Sequence, residues 1–144
     1  MFSINDGREE DLQFILELEK ELFLGEAWSY FQLLKEFKNK FSKIWVLKEK
    51  KKIIGYLIFR KIEPEIEILR IGIKKEYQKK KAGTQLMEKL IKLAKEKKIE
   101  KIFLEVKVSN LPAYNFYKKL GFKELYERKN YYIKEPGIVM VKEI

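Results

Sequence analysis

The stretch EILRIGIKKEYQKKKAGTQLMEKL, residues 67–90, decides how this chain is read. Its first seven residues form an apolar run of strand character. From Ala82 onward, apolar residues at Leu86, Met87, Leu90, Ile91, Leu93 and Ala94 keep the 3.6-residue period of an amphipathic helix reaching Lys97. Between strand and helix lies QKKKAGT, which places successive backbone N–H groups, from Gln78 to Thr84, at a helix N-terminus. Orphan donors and the helix macrodipole favour an anion there. Lys79, Lys80 and Lys81 carry the wrong charge for that end of a helix, so they cost stability unless an anion sits beside them. The alternative is a merely solvated start to an ordinary helix.

On both sides of this unit the periodicity alternates between two and 3.6. Upstream, Phe2 to Ile4 reads as a short strand, with Asp6 as N-cap and Glu9 as its capping partner for a helix that Gly25 stops. Leu12, Ile15, Leu16, Leu22 and Phe23 share one face of that helix. AWSYFQLLKEF (27–37) reads as a second helix capped by Ser29. KIWVLK (43–48) and IIGYLIFR (53–60), joined by a lysine-rich turn, form an antiparallel hairpin, and EIEILRIGI (65–73) is the next strand. Downstream, KIFLEVKV (101–108) is a strand. SNLPAYNFYKKLGF (109–122) is a short helix capped by Ser109 or Asn110 and closed by Gly121. Two closing strands fall near Phe122–Arg128 and Tyr131–Val141. The predicted order is β-α-α-β-β-β-α-β-α-β-β, a mixed α/β sheet with helices on its faces.

Composition narrows the chemistry. The chain has 144 residues and 46% hydrophobic content, which suits one domain with one core. No apolar run approaches the roughly 18 residues that a membrane helix needs. The polar, acidic start MFSINDGREEDL lacks the pattern of a secretory signal, so a cytoplasmic location is expected. Cysteine and histidine are both absent, which removes disulfides, thiolate and imidazole metal ligands and Ser-His or Cys nucleophiles. Proton transfer is left to carboxylate, tyrosine, lysine or water. The net charge is +10, carried by 28 lysines and only four arginines: Arg8, Arg60, Arg70 and Arg128. Such a surface admits an anionic cofactor, a ribosomal partner or nucleic acid. It also matches the lysine- and glutamate-rich composition of a thermophile.

Two side chains are candidates for catalysis. Glu105 stands among apolar neighbours in IFLEVKV and shares a strand face with Phe103. Desolvation raises the pKa of such a carboxyl and suits it to accept a proton near neutral pH, unless it lies on an edge strand facing water. Tyr117 lies on or beside the packed face of the short helix. A buried tyrosine there either donates a proton or simply fills the core.

YQKKKAG resembles the acetyl-CoA loop Q/R-x-x-G-x-G/A of the GCN5-related N-acetyltransferases, matching at Gln78 and Gly83. SNLPAYNFYKKLGF resembles that family's N-x-x-A-x-x-[FY]-Y-x-x-x-GF segment at Asn110, Ala113, Phe116, Tyr117, Gly121 and Phe122. The resemblance runs over essentially the whole chain. It implies one acetyltransferase domain over residues 1–144, a mixed, mostly antiparallel sheet of about seven strands, and about four helices. It further implies acetyl-CoA as co-substrate, no metal, and cofactor contacts from Ile71, Gly72, Ile73, Gln78, Lys79, Lys80, Lys81, Ala82, Gly83, Thr84, Asn110 and Ala113. A backbone N–H near Ile71–Ile73 would serve the oxyanion.

AWS (27–29), LEVKVSN (104–110) and ERKNYY (127–132) are most similar to the RimI-type protein alanine N-acetyltransferases. That likeness implies Glu105 as base, Tyr117 as acid, and Trp28, Tyr131 and Tyr132 beside an acceptor that is a protein N-terminus. Alternative acceptors are a polyamine, an antibiotic or a lysine side chain. A non-enzymatic nucleic-acid module fits poorly, since the aromatics are not interleaved with the basic residues and no RNP-like or helix-turn-helix pattern occurs. The sequence departs from the family at Lys81, where glycine is usual. Lysine fits there sterically if the loop is simply the first helical turn.

Overall fold

The computed structural model describes residues 1–129 and 135–144. In chain order the elements are β1 (Phe2–Asp6), α1 (Leu12–Leu22), α2 (Tyr30–Lys38), β2 (Ser42–Glu49), β3 (Lys52–Ile62), β4 (Glu65–Ile73), α3 (Ala82–Glu96), β5 (Lys101–Lys107), α4 (Leu111–Lys119), β6 (Lys123–Arg128) and β7 (Gly137–Glu143). The predicted order holds throughout. The strands form one seven-stranded sheet, β1-β2-β3-β4-β5-β7-β6, in which, among the described residues, only the β4–β5 pair is parallel.

Two apolar layers sandwich the sheet. On one face α3 turns Ala82, Leu86, Met87, Leu90 and Ala94 inward, where they meet Leu57, Phe59, Ile66, Ile102 and Leu104. On the other, Leu12, Ile15 and Leu18 of α1 and Leu33 of α2 cover Ile44, Val46, Tyr56 and Ile58. Fully burying each of Leu86, Met87 and Leu90 contributes about 2 kcal/mol. A misplaced charge in a first helical turn costs about 0.3–1 kcal/mol. Packing therefore holds α3 in place despite its basic start.

Local signals succeed where the caps are simple. Ser29 accepts from the Gln32 amide at 3.1 Å while its own N–H donates to Gln32 Oε1 at 2.8 Å, a reciprocal capping box. Asn110, rather than Ser109, caps α4 by accepting from the Ala113 amide at 3.2 Å. Gly121 follows the end of α4 with a φ of +96°. Asp6 is not an N-cap: it continues β1 opposite Trp45, and Asp11 instead accepts from the Arg8 amide at 2.8 Å before α1 begins at Leu12. The last strand starts at Gly137, later than its sequence pattern suggests.

A bulge in β4 and a short parallel ladder open the sheet. At the β3–β4 register shift Ile58 pairs with Arg70 and Phe59 with Ile68, so Leu69 is an extra, bulged residue. The bulge reverses the alternation. Ile66 and Ile68 face the α3 layer before it; after it Ile71 and Ile73 do, while Arg70 turns towards α1. The parallel ladder from β4 to β5 extends only from Glu65/Lys101 to Glu67/Phe103. Both strands continue, β4 to Ile73 and β5 to Lys107, with no further pairing between them. The sheet therefore opens in its middle, and polar backbone groups along residues 68–73 and 104–107 face the gap.

Candidate active site

The loop 74–81 hangs from the β4 side of this opening. Gln78 Nε2 donates to the Ile73 carbonyl at 2.9 Å and so fastens the loop to the end of β4. Lys79 and Lys81 have φ of 65° and 63°, so two left-handed residues curl the backbone around Lys80 before α3 begins at Ala82. Lys81 is thus the N-cap of α3 and not part of its first turn, contrary to the reading that let lysine fit there without strain. A residue with a Cβ in this conformation costs about 1–2 kcal/mol. All three lysines are exposed and Ala82 is buried. Gly83 has ordinary helical backbone; what it supplies is room, since a Cβ there would lie 3.3 Å from Cζ of Phe116 on α4.

Replacing Lys81 by Gly is expected to leave the fold intact and to raise Tm by a few degrees. About 1–2 kcal/mol of strain is relieved against about 0.5–1 kcal/mol of added chain entropy. Thermal unfolding checks this, and calorimetric titration with acetyl-CoA separates ammonium from backbone. Weaker binding by the variant would assign the Lys81 ammonium to a phosphate. Unchanged or tighter binding would leave the work to the amides.

Across the opening, β5 alternates cleanly: Ile102, Leu104 and Val106 enter the α3 layer, and Phe103, Glu105 and Lys107 point to the other face. β5 is an interior strand, so the edge-strand reading of Glu105 fails. Glu105 and Phe103 line a cleft of about 380 Å³ with Arg60, Glu65, Glu67 and Arg128. Glu65 and Glu67 thus gather at the cleft as a cationic acceptor would require, whereas Glu26 pairs with Lys107 outside the lining. Oε1 of Glu105 accepts from Arg128 Nη1 at 2.8 Å, while Oε2 is buried without a hydrogen-bond partner. Burial pushes the Glu105 carboxyl above its ordinary pKa, with Glu67 adding to the rise and Arg128 opposing it. A proton acceptor held this way is more basic than a solvated one.

Tyr117 is buried at 5% exposure within the α3 layer, its ring edge-on to Phe116 and Phe122 at 5.2 and 5.7 Å. Ile71 and Ile73 pack against the same layer. Gly72 faces Tyr56 so closely that a Cβ would stand 2.5 Å from the phenol oxygen. Asn110 and Ala113 occupy the start of α4, where the Asn110 side-chain oxygen is engaged as cap.

Trp28 is half-buried at the start of α2, and its amide donates to Glu19 Oε1 at 2.8 Å. Tyr131 and Tyr132 lie outside the described residues. Sequence reasoning missed Glu19. This fully buried carboxylate receives Arg70 Nε and Nη2 at 2.9 Å each and the Tyr56 hydroxyl. Burial first, then the Glu19 charge, push the Tyr56 phenol far above its ordinary pKa, so it stays a donor. Arg70 continues to the Glu26 carbonyl at 2.9 Å and lies 3.7 Å from the centre of the Phe23 ring. The Glu26 carboxylate pairs with Lys107. The segment between α1 and α2 is therefore moored both to the sheet and to β5. The available signal was a charged residue on the apolar stripe of α1, four residues after Ile15 and seven after Leu12.

A sheet split between a parallel pair, with a curled amide loop and helix N-terminus at one lip and a basic carboxylate at the other, is the architecture of an acetyl-CoA-dependent acyltransferase. A model of the Acetyltransferase (GNAT) family matches residues 10–122, and the chain belongs to that family. The ribosomal protein bS18-alanine N-acetyltransferase of Haemophilus influenzae is 33% identical over 127 residues, covering 88% of this chain and 85% of the relative. An N-alpha-acetyltransferase of Sulfurisphaera tokodaii is 30% identical over 144 residues, covering 91% and 86%. The crystal structure of the ribosomal-protein-S18-alanine N-acetyltransferase from Escherichia coli superimposes with a TM-score of 0.93 at 26% identity, covering 100% of this chain and 94% of that one. The protein is an N-acetyltransferase, and its family uses acetyl-CoA as donor. Among the described residues no cluster of acidic side chains could hold a metal, and no helix is long and apolar enough to cross a membrane.

Proposed function

We propose that the protein acetylates the N-terminal α-amine of a protein, such as a small-subunit ribosomal protein, by direct attack in a ternary complex. The observation that carries this reading is Glu105: a carboxyl of raised pKa at the open lip of the sheet, with one buried oxygen unpaired. Glu105 takes a proton from the arriving ammonium. The resulting amine attacks the thioester carbonyl, backbone N–H groups near Ile71–Ile73 receive the developing oxyanion, and Tyr117 protonates the departing thiolate. Gln78, Gly83, Thr84 and the loop lysines hold the cofactor's phosphates, with Asn110 and Ala113 at its other flank. Trp28 borders the acceptor. With no cysteine in the chain, no acetyl-cysteine intermediate can form.

Titration chemistry favours an α-amine. With a pKa of about 7.7–8.0 roughly a tenth of it is neutral at pH 7, against under a thousandth of a lysine at about 10.4. One modest carboxylate suffices for the former. The relatives named for ribosomal-protein alanine N-acetylation and for N-alpha-acetylation support the same choice. Glu65 and Glu67 in the cleft lining favour a second reading, a small polycationic amine.

The test is a panel at pH 7.5 with saturating acetyl-CoA: a peptide with a free N-terminal alanine and no lysine, the same peptide N-blocked with an internal lysine, and spermidine. The free N-terminus is expected to give the highest kcat/KM, by tenfold or more. A higher kcat/KM for spermidine or the blocked peptide would replace the α-amine reading with the corresponding acceptor.

A further inference from the structure

We propose that Arg128 is a displaceable stand-in for the acceptor's ammonium: its guanidinium sits on Glu105 while the cleft is empty of substrate and yields that carboxylate to the incoming cation. The inference rests on Glu105 being the base and adds a positioning residue to it.

The chain has four arginines among 32 basic residues, and three of them sit on glutamates whose side chains are largely buried. Two of these pairs are built to stay closed. Arg60 grips both oxygens of Glu36, at 3.0 and 2.7 Å, and Arg70 grips both oxygens of Glu19. Planar two-point pairing of this kind fixes geometry as well as charge. The pair at the cleft differs. Arg128 Nη1 donates to Oε1 of Glu105, while Oε2 stays buried without a hydrogen-bond partner. Half of the carboxylate is thus without a partner, and a cation that displaces the guanidinium can engage both oxygens.

Exposure assigns the moving half. The Glu105 side chain is 15% exposed on an interior strand, whereas that of Arg128 is 52% exposed at the end of the edge strand β6. β7 lies between them: Val139 stands opposite Glu105, and Gly137 opposite Arg128. The arginine spans the strand that has no side chain in its own row. An ion pair this exposed is screened and cheap to open. The other charges around Glu105 do not offer a substitute cation. From β4 come Glu67 and Glu65, both anionic, and Arg60 of β3 is committed to Glu36. On Glu105's own strand Lys107 is engaged by Glu26 of the α1–α2 segment. Arg128 alone of these groups is placed on Glu105.

In the reaction the acceptor's ammonium takes the position of the guanidinium and loses one proton to Glu105, which becomes a neutral acid. The freed lone pair forms the C–N bond; as the C–S bond breaks, Tyr117 protonates the departing thiolate and recovers its proton from the nitrogen, leaving a neutral amide and a free thiol. A guanidinium stays protonated throughout, so Arg128 donates no proton. It keeps the carboxylate ionised beforehand and sets a modest threshold against neutral ligands.

The experiment uses Arg128→Gln and Arg128→Lys in the full chain, with a free-N-terminal alanine peptide as probe. Calorimetric titration of the peptide into CoA-loaded protein is expected to show about two- to fivefold tighter binding for Arg128→Gln, the span that a partly exposed ion pair is worth. Removing the guanidinium also lets the Glu105 pKa rise, so the acidic limb of kcat/KM moves to higher pH. Acetyl-CoA affinity stays unchanged, and Arg128→Lys, which keeps the charge, restores parental peptide binding. Weaker peptide binding by Arg128→Gln, or an unmoved acidic limb, overturns the proposal. If Glu105→Gln retains full kcat, the base assignment itself has failed, a result distinct from either.

Discussion

Glu105→Gln is expected to lower kcat by about 10²-fold, the lower end of what a positioned general base contributes. The amide keeps the shape and a hydrogen-bonding oxygen for Arg128, so the fold and the affinity for acetyl-CoA should stay close to those of the parent. What is lost is the ability to carry a proton away from the ammonium. The pH dependence sharpens the test. In the parent, kcat/KM falls as pH drops through the raised pKa of Glu105, because only the carboxylate accepts a proton. The variant should lack that limb and keep only the ionisation of the acceptor amine, so its rate should go on climbing towards alkaline pH as more amine is neutral. Steady-state kinetics with the alanine peptide between pH 5.5 and 9 reads both effects. An unchanged kcat would remove Glu105 from proton transfer and leave the amine to be deprotonated by bulk water.

That Glu105 shares a strand face with Phe103 was legible, because strand alternation needs only local sequence; that this face lines the cleft was not, because the place of β5 inside the sheet depends on distant strands. The order of all eleven elements was legible for the same reason: each has its own period, and Ser29, Asn110 and Gly121 mark ends with residues that act over three positions. What the sequence hid are relations between distant segments. Where β4 and β5 part company is set by the bulge at Leu69 and by which strands find partners, neither of which leaves a residue-level mark. The contact of Arg128 with Glu105, 23 residues apart, depends on β7 inserting between β5 and β6. The conformation of Lys81 was hidden for another reason: its left-handed backbone contradicts the ordinary preference of lysine, so local propensity does not mark it as the N-cap of α3. Rules of thumb fail where the site needs an unfavourable conformation.

The network around Glu19 shows how such a site is held, and removing its centre is the change with the largest expected effect on stability. Glu19→Ala is expected to cost about 3–5 kcal/mol, because the loss of one partner leaves a buried charge uncompensated. At this chain length that corresponds to a fall in Tm of about 10–15 °C. Arg70 would lose both oxygens of its carboxylate while only 18% exposed, and the Tyr56 hydroxyl and the Trp28 amide would lose their acceptor at the same time. Catalysis should suffer through the segment that Arg70 and Trp28 hold. With the α1–α2 segment released from β3 and β4, the KM for the acceptor should rise several-fold while the KM for acetyl-CoA, whose loop is fastened separately by Gln78 at Ile73, moves little. Glu19→Gln keeps the shape and one acceptor oxygen and should fall between the two. A double replacement of Glu19 and Arg70 by Met removes both charges, and its cost in thermal unfolding should be smaller than that of Glu19→Ala. If Glu19→Ala instead unfolds within a degree or two of the parent, water has entered to solvate Arg70. The network would then be a mooring for the loop without being a pillar of the fold.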